Sequence, residues 1–429
     1  MPRSVQGQSA CPGEPADFAI RIQNVSVELA PRRTIKTVGY NGSVPGPILR
    51  IAEGKEVTIE VHNETSVPEL VHWHGLHIPS NVDGSAEEGT PVIPPRDCRR
   101  YRFSAAPSGT RWYHTHTMAM RNLNRASYTG QFGFFYIEPR RDPGRYDQEI
   151  FLALKEWSPY FSSQDDDIEV AYKYLAINGR SLGHGEPVRV KTGQRIMFRI
   201  LNASATTSRR IALPGHKFQI AALDGNPVPA IRTAGIVELG PAERIDAVVE
   251  MNQPGIWILG ATENRDREAG MGIVVEYANT SGEPSWLAPQ PETWDYTIFG
   301  RTPSNEPAQS IPLVFEKKFA GSHWVDKWSI NGKSFPKTDV IRVRENERYR
   351  LIFDNRSDEA HPVHLHRHSF ELLKVAGVPT GGIMKDVVVV PAKAQVEVGL
   401  VANNPGPTLF HCHQQMHMDY GFMCIFEYF

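Results

Sequence analysis

Ile330-Asn331-Gly332, followed by a charged turn and the alternating run Tyr349-Arg350-Leu351-Ile352-Phe353 that ends at Asp354-Asn355, is a plan this chain uses three times. The first copy runs from Tyr40-Asn41-Gly42 through Val57-Thr58-Ile59-Glu60-Val61 to His62-Asn63. The second runs from Ile177-Asn178-Gly179 through Ile196-Met197-Phe198-Arg199-Ile200 to Leu201-Asn202. Asn-Gly is a hairpin signal because both residues tolerate positive φ. A run that alternates apolar and polar residues is a strand with one buried face. The three copies are spaced by 137 and 153 residues in a chain of 429, which predicts three domains, at 1–142, 143–285 and 286–429. With 35 glycines and 33 prolines between short runs, and no long 3.6-residue period, the fold class is all-β. Each domain reads as a Greek-key β-sandwich with only short helical turns.

The copies diverge at their ends. The first closes Gly109-Thr110-Arg111-Trp112-Tyr113-His114-Thr115-His116 and the third Gly406-Pro407-Thr408-Leu409-Phe410-His411-Cys412-His413. The second has Gly260, Ala261 and Thr262 in the same frame, so the middle domain is expected to hold no metal and to serve as a spacer and wall. Two further groups complete the pattern, His72-Trp73-His74 in the first copy and His361-Pro362-Val363-His364-Leu365-His366 in the third, with His417 four residues after His413. Alternate side chains of a strand share a face, so each H-x-H is a two-pronged clamp. In His411-Cys412-His413 the middle residue is itself a ligand type, so the strand presents ligands on both faces.

Two histidines and one cysteine with a weak or absent axial ligand make a blue-copper electron-transfer site, and His361, Cys412 and His417 supply that set. Eight imidazoles remain in four H-x-H pairs, too many for one zinc and fitting about three copper ions. Two pairs belong to the first domain and two to the third, which places the cluster between them. His62, His77, His184, His216, His323 and His368 complete no further site.

Formal net charge is −2 with no basic run, which excludes an electrostatic nucleic-acid surface, and no apolar run is long enough to span a membrane as a helix. Met1-Pro2-Arg3-Ser4 lacks the apolar core of a secretory signal; either a signal has been removed or the protein is not exported. Beyond Cys412 there are Cys11, Cys98 and Cys424, and a Cys11–Cys98 bridge would tie the N-terminal arm to the first domain, although spacing alone does not establish a pairing.

At its histidine motifs the chain resembles the multicopper oxidases, specifically the three-domain laccase-like group with cupredoxin-like domains. Val44-Pro45-Gly46-Pro47, His72-Trp73-His74-Gly75 with Val82-Asp83-Gly84, and Trp112-Tyr113-His114-Thr115-His116 carry the likeness, along with both groups of the third domain. The resemblance implies four copper ions. His361, Cys412 and His417 would hold the type 1 ion, and His72 and His364 the type 2 ion. His74, His114, His116, His366, His411 and His413 would hold the type 3 pair. It implies one-electron oxidation of a small-molecule reductant, with Cys412 on the electron path, coupled to four-electron reduction of O2 to water, in a periplasmic or extracellular setting.

Phe422 stands at the family's axial position and cannot coordinate, which predicts a three-coordinate, oxidising blue site, while alternation turns Met423 away. Asp83 occupies the place where relatives keep an acid near the type 2 ion and is expected to relay protons. A second acid that many bacterial relatives place after the last type 1 histidine is Met418 here, which puts more weight on Asp83. Substrate choice is expected to rest on Asp358-Glu359, Met416, Met418 and Met384, the last in a loop after Gly382. Phenols and aromatic amines are the leading donors. The alternatives are a metallo-oxidase acting on Cu(I) or Fe(II) and, with all eleven ligands present, a much less favoured non-catalytic copper protein.

Overall fold

The computed structural model describes residues 11, 15–140, 144–164, 167–302, 307, 309–319 and 325–429; His323 lies outside them. Among the described residues the strands form six sheets in three pairs: four strands with four, then six with five twice. Among the described residues the only α-helical segments are Ser80–Asp83, Asn264–Glu268 and Gln415–Asp419. The fold is all-β, as the composition and patterning predict.

Each repeat performs the same local work. Asn41, Asn178 and Asn331 have φ near 50° and are followed by glycines with φ of 73–78°, the geometry of a tight hairpin turn. The turn side chain then pins the neighbouring strand: the Asn178 amide donates to the Phe151 carbonyl (2.8 Å) and its oxygen accepts from the Ala153 amide (2.8 Å). Asn331 does the same with Pro312 and Val314. The alternating strands are Glu56–Asn63, Arg195–Asn202 and Arg348–Asn355. Each pairs in parallel with the first long strand of its own sheet and antiparallel with a later one. In the first copy Val57, Ile59 and Val61 are buried, and in the third Tyr349, Leu351 and Phe353. The second copy departs from the alternation, with every residue from Ile196 to Asn202 buried. Its outer face is covered by the first sheet pair: Arg199 donates to the Tyr136 hydroxyl there (2.9 Å) and to Asp246 of its own sheet (2.6 Å).

The terminal asparagines Asn63, Asn202 and Asn355 are buried and donate to the carbonyls of the turn that follows, with Val67, Thr207 and Glu359 as partners at 2.7, 2.9 and 2.8 Å. Buried amide groups need such partners, and the asparagine supplies them for a chain reversal that has no ladder of its own. In the third copy this turn carries Ser357 and leads directly to His361.

Cys11 and Cys98 form a disulfide with Cα atoms 5.9 Å apart, tying the N-terminal arm to strand Cys98–Ser104. Cys98→Ser is expected to lower the unfolding free energy by about 2–4 kcal/mol, read from the denaturant midpoint. Cys11→Ser should match it and the double variant should add nothing, whereas additive losses would show that the thiols act separately.

Candidate metal centres

The H-x-H pairs meet in register within each half. His72 lies opposite His114 on strands Val71–His74 and Gly109–Thr115, and His364 opposite His411 on His361–Leu365 and Thr408–Cys412. The second histidine of three pairs, His116, His366 and His413, sits just past its strand end. The two halves face each other and their rings stack in crossed pairs: His72 on His366 with centroids 4.0 Å apart, His74 on His364 at 3.8 Å. All eight rings are buried. His72–His364–His366, His116–His366–His411 and His72–His74–His114 each bring three ring nitrogens within 4.8 Å of one another. In the middle sheet pair a Cβ at Gly260 would lie 2.6 Å from the Met271 carbonyl oxygen, so that position has no room for a ligand side chain.

The tautomers follow from the outward partners. His72 Nδ1 donates to the Asp83 carbonyl (3.0 Å), His364 Nδ1 to that of Asp386 (2.7 Å), His114 Nδ1 to Thr115 (2.8 Å) and His411 Nδ1 to Cys412 (2.8 Å). His366 Nδ1 donates to Asp83 Oδ2 (2.8 Å), and His74, turned the other way, donates from Nε2 to Asp386 Oδ1 (3.1 Å). A neutral imidazole has one N–H, so the inward nitrogens are bare acceptors. They face each other: His366 Nε2 is 3.1 Å from His411 Nε2 and His74 Nδ1 is 3.4 Å from His114 Nε2. Among the described residues the Nε2 atoms of His72, His116, His364 and His413 have no hydrogen-bond partner. Burial, reinforced by the neighbouring imidazoles, holds His114, His116, His364 and His411 well below the usual imidazole range, so protonation does not relieve the crowding. Converging lone pairs without protons are a site for Lewis-acidic cations, and this donor set fits copper.

His361, Cys412 and His417 form the separate set. Their Nδ1 atoms are 3.1 Å apart, and Cys412 Sγ is 3.7 Å from one and 3.5 Å from the other. His361 Nε2 is 2.8 Å from the Ser357 hydroxyl, which is itself committed to Asn355 Oδ1 (2.8 Å), and His417 Nε2 donates to Glu359 (3.2 Å). Both Nδ1 atoms are therefore bare. Burial pushes the Cys412 thiol well up, so a bound cation is what would hold the thiolate in place. Phe422 packs its ring 4.8 Å from that of His361, with Trp328 closing the other side at 4.6 Å. Met423 packs away from this set, against Leu409 and Met418.

Asp83 is fully buried beside the cluster, with Oδ2 on His366 and Oδ1 unpartnered. Burial alone would raise its carboxyl, but the facing His72 and His366 more than reverse this and hold it well below the carboxylate range. Sequence reasoning missed Glu88, which lies 3.3 Å from His366 Nδ1 and accepts from the Leu409 amide (2.7 Å). Burial and then the Asp83 charge push Glu88 well up, the opposite direction from Asp83. Asp386 was missed as well; nothing in an acid among valines marks it.

A cavity of about 220 Å³ opens beside His417, lined by Glu169, Lys317, Asp326, Trp328, Glu359 and Met416 among others. Lys317 Nζ bridges Asp326 (3.3 Å) and Glu359 (3.0 Å). Met384 is not in a loop as expected but on strand Val378–Lys385, and neither it, Met418 nor Asp358 lines the cavity. Of the remaining histidines, His77 is hydrogen-bonded to Ser369, His216 to Tyr277 and His368 to Tyr428, while His184 is exposed. His62 lies beside Cys11 and Cys98, whose sulfurs are committed to the disulfide.

Three family models, each described as multicopper oxidase, match residues 21–142, 155–280 and 306–428. The chain belongs to the multicopper oxidase family. The oxidase is 29% identical over 438 residues to Multicopper oxidase MmcO of Mycobacterium tuberculosis, covering 92% of this chain and 83% of that protein. Its fold is similar to the laccase of Botrytis aclada, with TM-score 0.81 at 19% identity over 95% of this chain and 87% of that one. It is also similar to a multicopper oxidase of Campylobacter jejuni described as a metallo-oxidase, with TM-score 0.75 at 21% identity over 97% and 93%. The oxidase is thus a copper-dependent oxidoreductase with O2 as acceptor.

The neutral imidazoles make the copper-free oxidase acid-sensitive. Burial lowers His366 and His368 to about 4 and His413 to about 3, against about 6.5 in the unfolded chain. Between those values the unfolded chain binds protons that the folded one refuses, so unfolding free energy falls as pH falls, by up to about 1.4 kcal/mol per residue per pH unit. Urea midpoints of copper-free protein should drop steeply from pH 7 to 4.5; a flat profile would mean the cluster is already protonated when folded.

Proposed function

We propose that this chain is a laccase-like oxidase on three cupredoxin-like domains, dividing near residues 142 and 285. It takes single electrons from phenols and aromatic amines at a type 1 site of His361, Cys412 and His417. The observation that carries this reading is the open cavity ending on His417 and Glu359, because outer-sphere oxidation needs little beyond contact and potential. His72 and His364 would hold the type 2 ion, and His74, His114, His116, His366, His411 and His413 the type 3 pair, four ions in all. Copper at these atoms supplies one-electron acceptance at the first set and four-electron reduction of O2 at the second.

The chain's own residues do the rest. Cys412 joins the two sets, its sulfur in one and its peptide neighbours His411 and His413 in the other. Phe422 offers no donor atom, which supports a three-coordinate site with a raised potential. Asp83, with one oxygen on His366 and the other unpartnered, is placed to relay protons to the cluster. Cys412→Ser should abolish both the blue colour and oxidase activity in a folded protein. Asp83→Asn should slow O2 consumption by about 10- to 100-fold with the blue absorption intact, and unchanged turnover removes the relay.

A second reading is favoured by one observation: among the described residues three carboxylates, Glu169, Asp326 and Glu359, face the cavity against one ammonium, Lys317. Acidic walls suit a cationic donor such as Fe(II) or, less readily for lack of sulfur ligands other than Met416, Cu(I). O2 uptake by the copper-loaded protein with a methoxyphenol, Fe(II) and Cu(I) in parallel separates the readings. Rapid uptake with the phenol alone supports the laccase; uptake confined to a metal ion supports the metallo-oxidase.

A further inference from the structure

We propose that Asp386 and Arg244 are positioning residues of the histidine cluster, so that the sheet pair without any ligand is a working part of the copper site. The inference rests on the reading of the eight histidines as a copper cluster. Each half of that cluster lends a carboxylate to the other: Asp83 of the first sheet pair takes the outward N–H of His366, and Asp386 of the third takes that of His74. The two acids occupy matching places and are wired differently. Asp83 keeps one oxygen without a partner and has Glu88 as a neighbour. Asp386 has both oxygens filled by guanidinium groups, Arg244 Nη1 on Oδ1 (2.8 Å), Arg244 Nη2 on Oδ2 (2.6 Å) and Arg111 Nη1 on Oδ2 (3.3 Å). A carboxylate so occupied holds an imidazole in place rather than exchanging protons with it.

His74 is the ring that needs this. It alone among the six anchored rings presents Nδ1 inward, so its outward Nε2–H lies too far from its own backbone for a local carbonyl and meets Asp386 instead. The middle sheet pair fixes where Asp386 stands. Arg244 is tethered by donating to the Ala242 carbonyl (2.9 Å) and the Thr110 carbonyl (3.3 Å). Asp224, also of the middle pair, accepts from the amides of Asp386 (3.3 Å) and Val387 (3.1 Å) and from Lys385 Nζ (2.9 Å). That grip also sets the Asp386 carbonyl, the acceptor for His364 Nδ1. Gly75, with φ of 83°, makes the close approach possible: a Cβ there would sit 2.6 Å from Asp386 Oδ2 and 2.9 Å from Arg244 Nη2. His74 and His364 stack on each other, so one ion pair orients a ligand from each half.

The test uses the full copper-loaded chain and reads copper per chain, the blue absorption and the near-ultraviolet absorption of a coupled copper pair. Asp386→Asn should retain the blue band, since Asp386 touches none of His361, Cys412 and His417, but lose the coupled-pair band and about half or more of the copper, with cluster affinity down about 10- to 100-fold. Arg244→Lys, which keeps the charge but not the two-pronged contact, should do the same more weakly. Removing one partner of a buried ion pair is strongly destabilising, so the charge-keeping Arg244→Lys guards against a fold that simply fails, and Asp224→Asn, one step further from the histidines, should show partial loss of the same band. Glu156→Gln, which breaks the buried Arg209 pair inside the middle sheet pair and is hydrogen-bonded to neither a histidine nor Arg244, should lower thermal stability and leave every copper signal unchanged. Wild-type copper content and coupled-pair absorption in both Asp386→Asn and Asp224→Asn would overturn the positioning role. A wild-type chain that shows the blue band but never a coupled pair would overturn the cluster assignment itself.

Discussion

Bare imidazole lone pairs facing one another across a dry seam are the constraint on which the rest of this molecule turns. Two acceptors 3.1 Å apart, as at His366 and His411, repel, and burial denies them water. Protonation does not help, because the same burial and the neighbouring rings disfavour charge. Only cations satisfy such an arrangement. The outward hydrogen bonds of the anchored histidines make sense on those terms: each spends the ring's single N–H on a fixed acceptor, so that the other nitrogen has nothing to offer but its lone pair. Asp83 and Asp386 draw the first and last sheet pairs together across the seam while the bare lone pairs oppose them, so metal binding would add to the closure of the seam.

Much of this was legible along the chain because it depends on local geometry. H-x-H on a strand puts both rings on one face whatever the rest of the protein does, and the Asn-Gly turn with its following alternating run recurs because one hairpin plan is used three times. The asparagine closing each run marked a repeat before it could be seen to brace a turn, and in the third copy it reaches His361 through Ser357. What stayed hidden depends on contacts between distant positions. Glu88 meets the Leu409 amide and Asp386 meets His74 across more than 300 residues of chain. An acid flanked by ordinary residues carries no sign of such a partner. Met384 misled because glycines before it signal a loop, whereas its strand runs on through them, pairing Leu372 with Ile383 and Glu371 with Met384.

The buried charges show a division of labour. Six ionic groups, Arg111, Asp224, Glu243, Arg244, Lys385 and Asp386, lie together at 0–2% exposure where the three sheet pairs meet. Taking ions out of water is costly, and such groups seldom stabilise a fold more than apolar ones of the same shape. Their value is directional. Guanidinium forks bind a carboxylate in one orientation, which an apolar core would leave free to slide.

The cavity beside His417 draws its walls from two sources. Glu169 and Thr206 belong to the middle sheet pair, while Trp328, Glu359 and His417 belong to the last. On the proposed reading, part of the wall that would greet the electron donor is thus encoded far from the residues that would hold the metal. Mutation can remodel the middle wall, changing the charge and size of the donor accepted, without moving a ligand or altering Phe422. Such a layout lets a lineage explore new reductants while its oxygen chemistry stands still.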